Sequence, residues 1–471
     1  MSVGENIAWF GRSSRDGLAS MNANAYIGIR LGGLFGPAVF GVTAAGVALP
    51  GVAAALRAAP GAVVWVLTAH ALALGVGTAL FGRLSDAWGA RRSLLLGSAV
   101  LAAGAAVCLL APSLGGLVAG RAVLATGSGA LSATALSLVA ATAPERRPGV
   151  LAWYGGAMAV FSAGATLAGG LVTQALSWRL TLVLPALALL AVPFCLPLAR
   201  RPGSGGRVDL VGAGLLAGAA SAFLILVQAA NLGLDAPVAV LVGVVLVSSG
   251  AGLVLRVRAV PDGFVPRALA GDRAFLGASV AGIGVYGGLF ATMWVAPQVL
   301  AGTHGWSVPA IGAWLLPGAL LGVVLSRVAG SRAWLLPAVA AAFAACLVVA
   351  GLTGAAAALV TAASLGFPAF SLAQVVLTAR MSARFPVERR GGAMGLLNLA
   401  FFVGGGLGLG LAGALSRVAG LTGALVAIAV LPLATVLTAR AARKSAPDSG
   451  REHGSPVRGT GLGDVSSARR S

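Results

Sequence analysis

Residues 82–95 read GRLSDAWGARRSLL, a polar stretch in which one carboxylate, Asp86, stands among Arg83, Arg91 and Arg92, with Gly82 before it and Gly89 after it. The chain on either side is apolar for about twenty residues, the length an α-helix needs to cross the roughly 30 Å hydrocarbon layer of a bilayer. A spanning segment must satisfy its own backbone hydrogen bonds, so each run is expected to be helical. The segment is thus a short charged turn between two membrane spans.

Composition extends that reading to the whole chain. Hydrophobic residues make up 58% and charged residues only 9%, against roughly 25% charged in soluble domains. The 70 glycines show no collagen-like period and suit helices that pack closely in lipid. Apolar runs fall near 31–56, 62–82, 93–112, 115–141, 150–175, 180–199, 210–231, 237–256, 274–300, 308–327, 333–351, 354–379, 391–416 and 420–440, which predicts fourteen spans. Basic residues should gather in every second loop, on the cytoplasmic side. Only Arg57, Arg179 and Arg417 fall in the loops assigned to the outside and Arg121 within a span, so the other 28 of 32 basic residues lie on one side. Both termini are therefore expected in the cytoplasm, at a cell inner (plasma) membrane. The net charge of +20 reads as topology and not as a nucleic-acid surface, because the cations lie scattered between spans. Cys108, Cys195 and Cys346 stand alone in apolar runs with no ligand spacing, as packing residues do. No metal or cofactor is expected.

The spacing of Gly82, Leu84, Asp86, Gly89 and Arg91, G-x-L-x-D-x-x-G-x-R, resembles the loop signature of the major facilitator superfamily. Its glycines allow a tight turn while its carboxylate meets a facing helix end or basic group, and the Arg389–Arg390 end of the thirteenth span is the expected surface. Other segments resemble the fourteen-helix drug:proton antiporter branch: Val47-Ala48-Leu49-Pro50 closing the first span, Ser177-Trp178-Arg179 before the sixth, Arg207-Val208-Asp209-Leu210 entering the seventh, and Leu315-Leu316-Pro317-Gly318 in the tenth. The resemblance implies an all-α membrane protein with the major facilitator fold. Its parts would be a cytoplasmic segment 1–30, a six-helix bundle 31–199, a linker with two extra helices 200–273, a second bundle 274–440 and a disordered tail 441–471. In the second half, Leu325 to Arg332 aligns with the 84–91 loop and puts Arg327 where Asp86 stands.

The resemblance also implies a small-molecule substrate, a drug or secondary metabolite, exported by alternating access and coupled to protons. Several residues depart from the branch pattern. Span five carries Gly164-Ala165-Thr166-Leu167-Ala168-Gly169-Gly170, where Ala165 replaces the family's proline, leaving Gly164, Gly169 and Gly170 as expected packing positions. Gly41 stands where the branch carries a carboxylate in span one. No acid falls well inside a span, so the one intramembrane titratable group with a suitable reference pKa is His70. Its reading as a coupling residue competes with a hydrogen-bonded packing residue. Arg121 in span four is a functional candidate by its depth, for substrate or coupling or as a hydrogen-bond anchor. Trp294, Gln298 and Asn398 are the expected cavity lining, with helix-to-helix hydrogen bonding as the alternative.

With Arg121 and His70 in the cavity and no carboxylate to offset them, neutral or anionic substrates are expected. A nutrient uptake permease would need a denser polar cluster, and a membrane enzyme would need intramembrane acids or histidines grouped together. A non-transporting scaffold is the remaining reading, and the sequence alone leaves it open.

Overall fold

The computed structural model describes residues 22–444 apart from 59, 201, 330, 331, 333, 387 and 388. The expected N-terminal segment up to residue 21 and the tail from 445 lie outside the described residues, as do Glu388, Gly330 and Ser331. Every regular element among the described residues is helical. In chain order these are α1 (Asn22–Leu56), α2 (Trp65–Trp88), α3 (Ala90–Leu110), α4 (Leu114–Ala141), α5 (Arg147–Ala175) and α6 (Leu184–Cys195). Two helices follow, α7 (Leu210–Val227) and α8 (Ala236–Ala259). The chain continues through α9 (Arg273–Gly302), α10 (Val308–Val328), α11 (Leu335–Thr353) and α12 (Ala356–Arg384). It closes with α13 (Arg390–Ile428) and α14 (Val430–Lys444).

Among the described residues twelve helices are long and apolar enough to cross a membrane, and the expected count of fourteen fails to appear as separate long helices at two places. The sixth segment is broken into a short helix Trp178–Leu182, a 3-10 stretch Leu184–Ala191 and a last turn Val192–Cys195. Pro185, Pro193 and Pro197 remove three amide donors from it within thirteen residues, and the helical ladder breaks there. Near the C-terminus, α13 and α14 run on as one long apolar stretch, interrupted at Gly420, whose φ of 74° is non-helical, and at Ala429 between the two elements. Helix α1 is irregular too, with a 3-10 turn over Gly36–Gly41 before it resumes at Thr43.

Packing repeats after eight helices. In the first half α4 packs on α2 and α3 and α5 on α1; in the second, α12 packs on α10 and α11 and α13 on α9. The halves meet along α2 with α13 and along α5 with α10, two contacts that the same correspondence exchanges. Consecutive spans alternate in direction, so the structure has an Asp86 end and an opposite end.

The α7–α8 hairpin stands outside this pair. Helix α8 has no buried residue, and α7 leans on the core through Ala213, Leu216 and Ala220 and, near its far end, through Leu224 on Gly406 and Val227 on Gly410, with Thr68 donating to Gln228 Oε1 at 3.0 Å. Its near end is tied by Asp209. That carboxylate caps α7 by accepting Gly212 N–H, accepts Phe264 N–H at 3.1 Å, and pairs with Arg256 on the last turn of α8 at 2.9 Å. Burial alone pushes the Asp209 carboxyl up, and the Arg256 guanidinium and the two amides outweigh it, holding it below the usual carboxylate range. A depressed folded pKa gives stability that is present above the unfolded value of about 3.9 and is lost as pH falls through the folded one. Asp209→Asn should therefore lose about 1–2 kcal/mol at pH 7. Below about pH 4 the wild type should lose that advantage, so thermal melts in detergent at pH 7 and pH 3 should show the gap closing. A gap that stays constant with pH would contradict the assignment.

Candidate functional site

At the Asp86 end the halves are closed on one another. Gly82 lies so near Gly391 and Gly395 of α13 that a Cβ would meet the Gly391 carbonyl. That approach brings the Asp86 carboxylate onto the first turn of α13, where Oδ1 accepts Gly391 N–H at 2.9 Å and Oδ2 accepts Gly392 N–H at 2.6 Å. A helix N-terminus carries unsatisfied amides and a positive partial charge, so a carboxylate there is bound by both. Gly89 closes the α2–α3 turn at φ 90°, a value that favours glycine. Arg91 is exposed at the start of α3. Of the two arginines before the glycines, Arg389 pairs with Asp262 at 2.9 Å, and Arg390, which lines a hollow together with Asp86, donates to the Ala140 carbonyl at the end of α4 at 2.9 Å.

The pseudo-equivalent contact, between α10 and α5, uses different chemistry. Ser326 donates to the Ala152 carbonyl at 3.0 Å, and the Arg327 guanidinium sits over the Trp153 ring, 4.3 Å from its centroid. A cation on an aromatic face thus stands where the first half has a carboxylate on a helix end.

Deeper, Arg121 on α4 is fully buried, and each of its nitrogens donates to a backbone carbonyl: Nε to Val66 at 3.3 Å, Nη1 to Leu182 at 2.6 Å, and Nη2 to Gly41. Two of these acceptors lie at helix breaks. Leu182 would need an amide three or four residues on, but Pro185 has none and Ala186 donates to Val183 instead. Arg121 therefore serves here as an anchor that satisfies the carbonyls that irregular α1 and α6 expose. Beside it, His70 is fully buried with neither ring nitrogen hydrogen-bonded. Its ring fills the space in front of Gly41, where a Cβ would overlap it. The imidazole thus occupies the side-chain volume of position 41 and packs against α1 there.

Between the halves, toward the Asp86 end of the midplane, lies a buried layer that both contribute to. Tyr154 from α5 reaches Phe35 of α1 with ring centroids 6.0 Å apart, Phe35 reaches Phe402 of α13 at 6.3 Å, and Tyr286 of α9 meets Phe370 of α12 at 4.7 Å and Phe401 at 4.9 Å, both tilted. Among these rings the hydroxyls of Tyr154 and Tyr286 and both amide atoms of Gln374 and Asn398 are buried without a hydrogen-bond partner. An unmet buried polar group costs about 1–3 kcal/mol, so this layer concentrates polar groups that gain from a further hydrogen-bond partner.

Of the lining expected from sequence, Asn398 belongs to this layer. Gln298 is exposed and donates to its own helix at the Trp294 carbonyl, 2.6 Å, with Trp294 half-buried; neither joins the layer. Tyr154 went unremarked in the sequence, because a lone tyrosine in an apolar run reads as core. Gly169 packs on Ala44 and Gly170 is buried, but Gly164 meets nothing within 4 Å. It is not a packing position, since the α5 face it occupies borders open space.

Two pseudo-symmetric helical halves, sealed at one end around a shared polar layer, make a polytopic protein built on the plan of a membrane carrier. Residues 31–408 match the family model of the Major Facilitator Superfamily, and the chain belongs to that family. It is 34% identical over 256 residues to the puromycin resistance protein pur8 of Streptomyces alboniger, covering 52% of this chain and 50% of that one. It is 36% identical over 184 residues to the cephamycin export protein CmcT of Amycolatopsis lactamdurans, covering 37% of each. These matches thus span half or less of the curated relatives' length. Among solved structures, the proton:xylose symporter XylE aligns with a TM-score of 0.63 at 16% identity, covering 90% of this chain and 97% of that one. The human organic anion transporter MFSD10 aligns at 0.61 and 16%, covering 89% and 99%. These likenesses are of fold.

Replacing Asp86 with Asn removes the charge from both helix-end bonds and should weaken the closed state by about 1–2 kcal/mol. Ser371 is fully buried beside Gly155 of α5, so a Ser371→Cys thiol reports opening. Maleimide labelling of that thiol should be about 5–30-fold faster in the Asp86→Asn background. Equal labelling rates would mean the carboxylate does not hold the seal.

Proposed function

We propose that the chain is a secondary transporter of the fourteen-helix drug:proton antiporter branch, exporting a drug-like or secondary-metabolite molecule across the plasma membrane. The observation that carries this reading is the partnerless polar layer of Tyr154, Gln374, Asn398 and Tyr286. Both halves line it, so a rocking motion that parted the Asp86 end would expose the same groups to the other side of the membrane. The names of the similar proteins, a puromycin resistance protein and a cephamycin export protein, support export. The concentration of Arg at the Asp86 end supports placing that end, and both termini, in the cytoplasm.

Charge narrows the substrate. Arg121 is buried in the first half with its donors directed at backbone, and the described acids all lie in loops or, for Asp86, on the last turn of α2. A permanent cation would enter an apolar interior with no anion to meet it. Neutral or anionic molecules are the preferred cargo. His70, unpaired between Gly41 and Arg121, is the group we assign to proton coupling, since a change in its protonation would alter the charge beside the anchor that holds α1 and α6.

Reconstituted inside-out vesicles test both parts. With an acid interior the wild type should accumulate a neutral lipophilic dye and exclude a quaternary ammonium dye. His70→Asn should keep slow exchange of the neutral dye and lose its acceleration by the pH gradient. Export of the quaternary dye, undiminished in His70→Asn, would overturn the substrate preference and the coupling role together.

A further inference from the structure

Between the first turns of α7 and the two halves lies a groove. This groove, of about 260 Å³, is lined by α2, α7, Phe264 and Leu399 of α13 without a single polar side chain. Leu210 and Gly214 at its mouth are exposed, so it opens sideways, where the apolar belt of the protein faces acyl chains. Immediately beyond it toward the Asp86 end lies a second hollow of about 280 Å³, lined by Arg83, Arg207 and Arg389 with Asp86 and Asp262. The two are neighbours along the same segments: Leu80 and Leu210 bound the first, and Arg83 and Val208, on the next turn or two, bound the second.

The charges of the polar hollow are unequally used. Asp86 is engaged by two amides of α13, Asp262 by Arg389, and Arg83 donates to the carbonyls of Asp262 and Gly263. Arg207 is exposed and has no ion pair or side-chain hydrogen bond among the described residues. The surplus is one cation at the foot of an apolar slot, at the depth of a headgroup. Basic pockets between membrane helices on the cytoplasmic side are suited to anionic lipid headgroups.

We propose that this composite groove is a binding site for one anionic phospholipid, with an acyl chain between α2, α7 and α13 and its phosphate on Arg207. A soluble anion would use only the polar half and leave the apolar slot empty. A zwitterionic headgroup would bring an ammonium into a hollow whose two carboxylates already have partners. The lipid would fill the seam between the hairpin and the two halves, beside the contact that seals the Asp86 end.

The test uses the purified full chain in detergent, with bound lipid counted by native mass spectrometry during titration with dioleoyl phosphatidylglycerol or dioleoyl phosphatidylcholine. One phosphatidylglycerol should be retained in preference to phosphatidylcholine. Arg207→Ala should weaken that retention about fivefold. Gly214→Phe should abolish it while leaving the fold intact, since a Cβ at Gly214 meets nothing within 4 Å. Inorganic phosphate should not compete. Equal retention of the two lipids, retention unaffected by both substitutions, or displacement by inorganic phosphate would each overturn the proposal, the last by showing a site for a free anion.

Discussion

The Asp86 carboxylate on the first turn of α13 fixes how the two halves of this protein stand to one another. It can reach the Gly391 and Gly392 amides only because Gly82, Gly391 and Gly395 let two helix backbones approach without intervening side chains. Glycine is costly in a helix interior, by roughly 1 kcal/mol relative to alanine. Here that cost is offset by a carboxylate held on unsatisfied helix-end donors. The bonds are few and lie at an interface, so they can be released without unfolding either half, whereas the glycine contacts inside each half cannot. The inserted hairpin borders the same place, since Ser204 and Gly205 donate to the Asp86 and Ala87 carbonyls and Asp262 holds Arg389.

Within the first half the constraint is of another kind. Prolines and a 3-10 turn break α6 and α1, and a broken helix in lipid must find partners for its freed carbonyls. Arg121 supplies them from a single side chain with five donors in a rigid fork, which lysine could not match. The guanidinium is thereby spent on backbone, and the residue left without a partner is His70. Position 41 is glycine, and the imidazole occupies the space in front of it. Loss of a side chain at one position and the presence of a ring at the other belong to one packing solution.

Much of this was legible in the sequence, for identifiable reasons. Span positions follow from apolar runs, which report a solvent and need no knowledge of partners. The loop at 82–95 is local, so its turn and its one acid are visible as they stand. Arg121 and His70 announce themselves because charge and imidazole are rare at membrane depth. What stayed hidden depends on who faces whom. Gln298 and Asn398 are equally polar in the sequence, and only helix rotation puts one on the surface and the other in the buried layer. Tyr154 carries a single polar atom on a large apolar ring, too small a signal in an apolar run. The break in α6 was present in Pro185, Pro193 and Pro197, but a count of apolar residues does not register missing amides.

The seal at the Asp86 end and the open space beside Gly46 and Gly164 describe one state of a two-state carrier, in which opening one end closes the other. The direct measurement is a pair of spin-label distances in lipid nanodiscs, on a background without Cys346. One pair, Arg91→Cys with Arg380→Cys, spans the Asp86 end; the other, Arg57→Cys with Ala301→Cys, spans the opposite end. All four positions are exposed. Across changes of pH and added substrate, the two distances should move in opposite directions, one lengthening as the other shortens. Distances that stay fixed under every condition, or that widen together, would contradict alternating access.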